Sequence, residues 1–304
     1  MMNSIVSIII PSYGGGQYLE RCVNSALSQT YPLIEVIVVD DNGLGTPNQE
    51  STAHVMSKYK NDKRVKYICH EKNINGSAAR NTGVRHSIGS FISLLDDDDV
   101  FYPSNIEQHM KVLPFLPDDY ALTYCGLEEY LDNKLLRTVH KSFSGQDLYG
   151  ILRHEIVIGS TSMCIRRSAW ESLQGFDESF QRHQDWEFSA RLMAKYKVKA
   201  LPHIGFKRFL VLRNNPKKPE IAIQYRKHYL EKMKPLIATL SIEQQKDVIL
   251  FNMLDAISSF IKNKEYINFF REFNKLHPGI RGVRFIFNRV KLIVSRGYFT
   301  IKTQ

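Results

Sequence analysis

Asp96-Asp97-Asp98-Asp99 follow directly on the apolar stretch Phe91-Ile92-Ser93-Leu94-Leu95. Four adjacent carboxylates repel one another, so a fold that sets them where a buried strand emerges must supply a cation or strong donors. Two readings stand: a site for a divalent metal, or a solvated acidic turn of the kind charge runs usually form. Carboxylates recur at two further element boundaries. Asp40-Asp41 close the run Val36-Ile37-Val38-Val39, and Asp185 sits in Arg182-His183-Gln184-Asp185-Trp186-Glu187, where a helical pattern opens and runs to about Tyr196.

The surrounding pattern predicts how these groups are positioned. Residues 5–10 are Ile- and Val-rich, as a strand buried on both faces should be. After Gly14-Gly15-Gly16, the residues Leu19, Cys22, Val23, Ala26 and Leu27 fall at helical spacing. A strand over 36–39, a helix over about 48–60, a strand near 65–68, a helix over 78–87 and the strand ending at Asp96 continue the alternation. Such alternation predicts an α/β fold, a mostly parallel sheet flanked by helices, which binds ligands outside the carboxyl ends of its strands. Pro11-Ser12-Tyr13, Asp40-Asp41 and Asp96 to Asp99 are three such ends, so an aromatic and two acidic clusters are expected to converge on one crevice.

Beyond residue 103 the expected order is a helix over 103–115, strands over 120–125 and 135–139, and a strand over 155–166. A helix from about Ser168, the helix at Asp185 and two short strands within 198–212 follow. Asn214-Asn215-Pro216-Lys217-Lys218-Pro219 reads as a linker, and the rest is helical in pattern. The expected domains are 1–213, with halves 1–102 and 103–213, and a helical extension over 214–304.

Composition removes several classes. The 304 residues carry a net charge of +10, with 43% hydrophobic and 24% charged residues, ordinary for a globular protein. The excess is local: residues 205–304 hold 20 Lys and Arg against 7 Asp and Glu. Cys22, Cys69, Cys125 and Cys164 form no CxxC pair, so no zinc cluster or disulfide framework is expected, which suits a reducing cytoplasm. No apolar run reaches the ~20 residues of a membrane span, and residues 5–10 lack a basic leader. Neither a P-loop nor a dinucleotide fingerprint is present. Carboxylates without a phosphate loop still suit a diphosphate, because Mg²⁺ or Mn²⁺ can bridge the two.

Six ordered motifs carry a resemblance: Val6 to Tyr13, Glu35 to Asn42, Asn75-Gly76-Ser77-Ala78-Ala79-Arg80-Asn81-Thr82-Gly83, Leu95 to Asp99, Gly175-Phe176-Asp177-Glu178 and Gln184-Asp185-Trp186-Glu187. Together they resemble the family 2 glycosyltransferases, inverting, metal-dependent enzymes of GT-A fold, over about residues 5–212. The resemblance implies a nucleotide-sugar site lined by Pro11, Tyr13, Asp41, Arg80, Asp96 and Asp97. Tyr13 would pack on the base, and Asp41 would accept its imide N–H, favouring a UDP-sugar. Asp98 would be the metal ligand, for Mn²⁺ or Mg²⁺, with Asp99 leaving the register open by one. Asp185 matches the catalytic base. Gly14 departs from the pattern, which usually has Asn there.

Asp185 has a second reading, as the cap of a helix starting at Trp186. His183 and Trp186 are lesser acceptor-side candidates, and Met163 and Cys164 are core fillers. In the C-terminal third, Val283, Ile286, Phe287, Val290, Ile293 and Val294 follow helical spacing among Arg281, Arg284, Arg289, Lys291 and Arg296. That pattern fits either a helix packed on its own domain or a basic amphipathic helix, residues 281–296, at an anionic membrane surface. The second would place the enzyme on the inner face of the cell membrane, near a glycan or lipid-linked glycan acceptor. Rival readings are a metal-dependent nucleotidyltransferase, which needs no Asp185, and a nucleic-acid-binding protein. The tail lacks the interleaved aromatics and basics of a stacking platform, so no nucleic acid is expected.

Overall fold

A computed structural model describes residues 4–210 and 218–295. The first half alternates as expected: β1 (Val6–Ser12), α1 (Leu19–Leu27), β2 (Ile34–Asp40), α2 (Pro47–Ser57), β3 (Val65–Cys69), α3 (Gly76–Arg85) and β4 (Phe91–Leu94). There follow β5 (Val100–Phe101), α4 (Asn105–Met110), β6 (Tyr120–Leu131), β7 (Lys134–Val139), β8 (Ser144–Gly145), α5 (Leu148–Leu152), β9 (Met163–Arg166), α6 (Arg167–Ser172), α7 (Gln184–Lys195) and β10 (Lys197–Phe209). Last come α8 (Pro219–Ile237), α9 (Ile242–Lys262), α10 (Tyr266–Lys275) and α11 (Gly279–Ser295).

Ten strands form one mixed sheet in the order β3-β2-β1-β4-β9-β6-β10-β5, with β7 on β6 and β8 on β10. β3, β2, β1 and β4 are mutually parallel, while β9 runs antiparallel to both β4 and β6. The parallel half is covered on both faces, which is why Val6, Ile8, Ile9, Ile10 and Val36 to Val39 are all fully buried. α1 buries Leu19, Cys22, Val23 and Ala26, the stripe its spacing predicts. α3 begins where Asn75 Oδ1 accepts the Ala78 N–H at 3.0 Å, a side-chain cap.

The chain falls into two compact units. The first holds the described residues up to Gln146 and those from Ile158, and with them the whole sheet. The second joins Asp147–Val157 to the C-terminal helices. Within it α5 is tied to α9, where Asn252 Nδ2 donates to the Leu152 carbonyl at 2.9 Å. Its core is Phe251, Leu254, Ile257, Phe260, Ile261, Phe269 and Ile286. α9 opens on a capping box in which Ser241 and Gln244 satisfy each other's backbone N–H groups.

Three expected elements differ. Residues 155–166 are not one strand: a 3-10 turn over Ser160–Ser162 precedes β9, because the apolar Ile156-Val157-Ile158 run ends at Gly159. Residues 197–209 form one strand, β10, whose register shifts between Ala200 and Phe206 made it read as two. α7 starts at Gln184 with His183 as its N-cap residue, so Asp185 lies inside the first turn and does not cap a helix from Trp186. Residues 214–217 of the expected linker lie outside the described residues, and Pro219 is the first residue of α8.

α3 lies close on β1 because Gly83 has no side chain: a Cβ there would stand 2.4 Å from Ile9 Cγ2. Gly159, by contrast, has open space around it. We expect Gly83→Ala to lower stability by about 1–2 kcal/mol despite its better helix propensity, and Gly159→Ala to be near neutral, as read by urea denaturation. Equal midpoints for the two would show that the α3–β1 approach is not close-packed.

Candidate active site

The expected strand ends do converge, all within the first unit. β1 and β2 are in register as Ser12 opposite Asp40, and the Asp41 N–H donates to the Ser12 carbonyl at 2.9 Å. Pro11 pairs opposite Val39 in the same ladder. Asp40 is structural, its carboxylate taken by Asn42 Nδ2 at 2.7 Å and the Tyr67 hydroxyl at 2.6 Å. Asp41 is 2% exposed and fixed by three groups. Oδ1 accepts from the Ile74 N–H at 2.9 Å and meets His70 Nδ1 at 2.7 Å, while Oδ2 accepts from Asn73 Nδ2 at 2.8 Å. Burial raises its carboxyl above the usual range, and the hydrogen bonds oppose that. With one donor on Oδ2, a lone pair remains there for a ligand.

The acidic run divides by exposure. Asp97 and Asp99 are buried, at 7% and 2% exposure, whereas Asp96 and Asp98 are only half-buried. Asp97 Oδ2 accepts the Tyr13 N–H at 3.1 Å, joining the β4 tip to the β1 tip and leaving the Tyr13 side chain exposed. Asp99 accepts from the Thr161 hydroxyl at 3.0 Å. Burial, then the charges of Asp96 and Asp98, push its carboxyl well up. The Asp98 carbonyl accepts from Arg21 at 3.0 Å. Asp96 and Asp98, two residues apart and partly open, are thus the members of the run that could hold a cation.

Arg80 links this run to α3. The buried guanidinium donates to Asp96 Oδ1 at 2.5 Å and to the Gly76 carbonyl at 3.1 Å. Gly76 allows this, since a Cβ would stand 3.0 Å from Arg80 Nη1 and 3.4 Å from Gln184 Nε2. The same glycine therefore lets the start of α7 approach the start of α3. The Glu178 carbonyl accepts from Asn75 at 2.8 Å and the Phe180 carbonyl from Ser77 at 3.1 Å, which brings the chain leading to Asp185 against α3.

Asp185 is raised to about 6, by burial first. The charge of Arg80 pulls it down and that of Asp96 pushes it up. Charge effects of this kind need proximity, and Gln184, next to Asp185, reaches Gly76 beside Arg80, so Asp185 lies near Arg80 and Asp96. His183 adopts a left-handed backbone, φ 64°, and its ring stacks on Trp186 at 4.0 Å. Met163 and Cys164 are fully buried packing residues.

The family model for glycosyl transferase family 2 matches residues 7–173. The chain belongs to glycosyltransferase family 2. A curated glycosyltransferase of Rickettsia prowazekii is 31% identical over 191 residues, 60% of this chain and 57% of that protein, so the chain spans little more than half of that relative's length. Two solved structures share the fold. S. aureus TarS 1–349 in complex with UDP-GlcNAc aligns with a TM-score of 0.59 at 16% identity, over 91% of each chain. The mannosyltransferase PcManGT from Pyrobaculum calidifontis, in complex with GDP-Man and Mn²⁺, aligns with a TM-score of 0.60 at 15% identity, over 97% of this chain and 82% of that one. The fold is the GT-A type that the six motifs imply.

Several residues of this crevice carried no local signal. His70, just beyond β3, also meets the Thr82 hydroxyl at 2.9 Å and so ties Asp41 to α3. Arg208 on β10 counters the charge of Asp99, feels that of Asp185 and is itself paired with buried Glu129. The 3-10 turn supplies Ser160 and Thr161 to Asp96 and Asp99. His70 was findable as the tip of a third parallel strand; Arg208 and Thr161 reach the site only through long-range pairing.

A carboxyl raised in the folded state is a cost at neutral pH. Native Asp185 binds its proton more tightly than the unfolded chain does, so stability rises as pH falls from about 6 toward about 4 and is lower, by a constant amount, above 6. In metal-free buffer at pH 8, Asp185→Asn should therefore be more stable than the parent by roughly 1–2 kcal/mol, after allowance for its partial exposure, with the gap closing near pH 4. A variant no more stable than the parent at pH 8 would mean that Asp185 is well solvated.

Proposed function

We propose that the protein transfers a sugar from a UDP-linked donor to a hydroxyl of a glycan or lipid-linked glycan, with inversion at the anomeric carbon. The reading rests on Asp185, a carboxyl raised to about 6 by burial in the first turn of α7, where the adjoining Gln184 reaches Gly76 beside Arg80. Inversion in one displacement needs a base on the acceptor side and charge stabilisation on the departing diphosphate. Asp185 takes the proton of the attacking hydroxyl; its raised value brings it nearer the operating pH, where a base is most effective. The acceptor oxygen forms the new bond to the anomeric carbon as the diphosphate oxygen leaves with the bonding pair.

On the donor side, Tyr13 offers an exposed ring for the base, and Asp41 offers Oδ2 to an imide N–H. Pro11 and Asp97 hold that wall, and Arg80 with Asp96 faces the ribose and diphosphate. Asp98, with Asp96, would hold Mn²⁺ or Mg²⁺, hard cations that take carboxylate oxygens and keep water and phosphate ligands. The fit to a cation lies in the excess of carboxylate over cationic groups: all four aspartates of the run also push the buried Cys22 thiol up, after burial itself. When bound, such an ion offsets the charge that develops on the leaving diphosphate. The metal-bound nucleotide-sugar complex of the mannosyltransferase neighbour supports the same reading.

The second unit suits a surface-bound acceptor. On α11, Ile280, Val283 and Phe287 are exposed, at 88%, 56% and 60%, while Ile286 packs inward. Arg281, Arg284 and Lys291 are also exposed, a mixture that suits an anionic interface. No helix among the described residues is long and apolar enough to cross a membrane; the side chains of Arg289, Ile293, Val294 and Arg296 lie outside those described.

Incubated with UDP-sugars and Mn²⁺, the protein should release UDP, and Asp185→Asn should lower turnover by about 10²–10⁴-fold while still binding UDP and Mn²⁺. Normal turnover in that variant would remove the base assignment. Asp98→Ala should lose metal-dependent donor binding in a thermal-shift assay across UDP- and GDP-sugars; a full Mn²⁺ response would move the metal elsewhere in the run. Truncation after Ile280 should abolish binding to anionic vesicles, and equal binding of both forms would remove the membrane role.

A further inference from the structure

His109 on α4, Cys125 on β6 and His203 on β10 stand together. One ring nitrogen of each histidine and the Cys125 Sγ all lie within 4.8 Å of one another. Nothing in the transfer reaction uses them. His109 and Cys125 are fully buried, and His203 is half-buried at the edge. The two rings meet edge to face at 5.5 Å.

Around the cluster the Cys125 thiol donates to the Ser162 carbonyl at 3.6 Å, and each histidine uses one ring nitrogen in a hydrogen bond. His109 Nδ1 meets the Thr123 hydroxyl at 2.7 Å, while its buried Nε2 has no partner. Burial keeps the ring neutral, pushing it down to about 3. With Nδ1 as the donor to Thr123, Nε2 is a bare lone pair, the form in which imidazole binds metal. His203 engages Asn105 Oδ1 through Nε2 at 3.0 Å, which fixes its tautomer and leaves Nδ1 as the second lone pair. A second-sphere carbonyl on the far ring nitrogen is the usual partner of a metal-bound histidine. Gly205 provides the space: a Cβ there would stand 2.2 Å from Asn105 Oδ1 and 2.3 Å from Cys125 Sγ.

We propose that His109, Cys125 and His203 form a site for a borderline-soft divalent cation, Zn²⁺ by preference, that joins α4, β6 and β10. Two imidazoles and one thiolate are zinc chemistry, whereas the oxygen-only acidic run suits Mg²⁺ or Mn²⁺. Tetrahedral bonds of about 2.0–2.3 Å would put the ligand atoms roughly 3.3–3.8 Å apart, so closing on the ion requires a shift of about 1 Å, within reach of the half-buried His203 ring. Binding replaces the Cys125 thiol proton with the metal and releases that proton to solvent. With three protein ligands, the fourth position would be left to a water.

Cobalt titration of the full-length, reduced, chelator-treated protein tests the site. One equivalent of Co²⁺ should produce an intense thiolate-to-metal charge-transfer band, removed by added Zn²⁺. The band should be lost in Cys125→Ser and retained in Asp98→Ala, since the acidic run has no sulfur ligand. His203→Ala, at the half-buried position, should weaken Co²⁺ binding by at least about tenfold, and it replaces the cysteine variant if that chain does not fold. No thiolate band in the parent protein, or a band that survives both variants, would overturn the proposal.

Discussion

Too many carboxylates meet at one end of the sheet for the fold to hold them without dedicated partners. Asp40 and Asp41 are neighbours at the tip of β2, Asp96 to Asp99 stand at the tip of β4 with β1 between them, and Asp185 feels the charge of Asp96. The structure manages this repulsion unevenly. Asp40 is taken up by Asn42 and Tyr67, Asp41 is held by three donors with a lone pair left on Oδ2, Asp96 is paired with buried Arg80, and Asp41, Asp99 and Asp185 are left raised. Desolvated carboxylates facing one another are poorly stabilised unless a cation or a proton intervenes. The site is therefore poised to gain from binding a positive ion, and the stability it forgoes is the counterpart of that readiness.

Scaffold and chemistry are linked through close approaches. Gly83 lets α3 sit down on β1, which sets the height of its N-terminal end against the strand tips. Gly76, one turn before Arg80, leaves room for both the guanidinium and Gln184, so a helix from the second half of the sheet lies against the first. The parallel strands contribute Tyr13, Asp41 and the acidic run, and the antiparallel strand β9 joins them to the half that carries α7. Asp185 arrives on the first turn of a helix whose start is set by the left-handed His183, not by a side-chain cap.

Much of the parallel half was legible because buried parallel strands are plain apolar runs and their ends follow at once. Val36 to Val39 and Phe91 to Leu95 announce strands, and the aspartates after them announce tips. The second half was less legible. Pro202 and Gly205 interrupt β10 so that one bulged strand looked like two, and apolar Ile156 to Ile158 imitated a strand ahead of Gly159. At the site, the six motifs marked residues whose chemistry is local to a tip or a helix start. Arg208, Thr161 and the His109, Cys125 and His203 group escaped because each depends on pairing between segments far apart in sequence, and spacing alone does not encode which strands become neighbours. Helix α11 splits the stripe expected of it: Ile286 packs inward while Val283 and Phe287, with Ile280, remain open.

The most direct measurement of the central claim is a crystal structure of the protein with UDP and Mn²⁺, with data collected at the manganese edge. An anomalous peak against the Asp98 carboxylate and the diphosphate, with uridine beside Tyr13 and Asp41 and the Asp185 carboxyl across the cleft, is the expected result. Manganese or nucleotide bound elsewhere, or Asp185 turned away from the cleft that holds them, would contradict it.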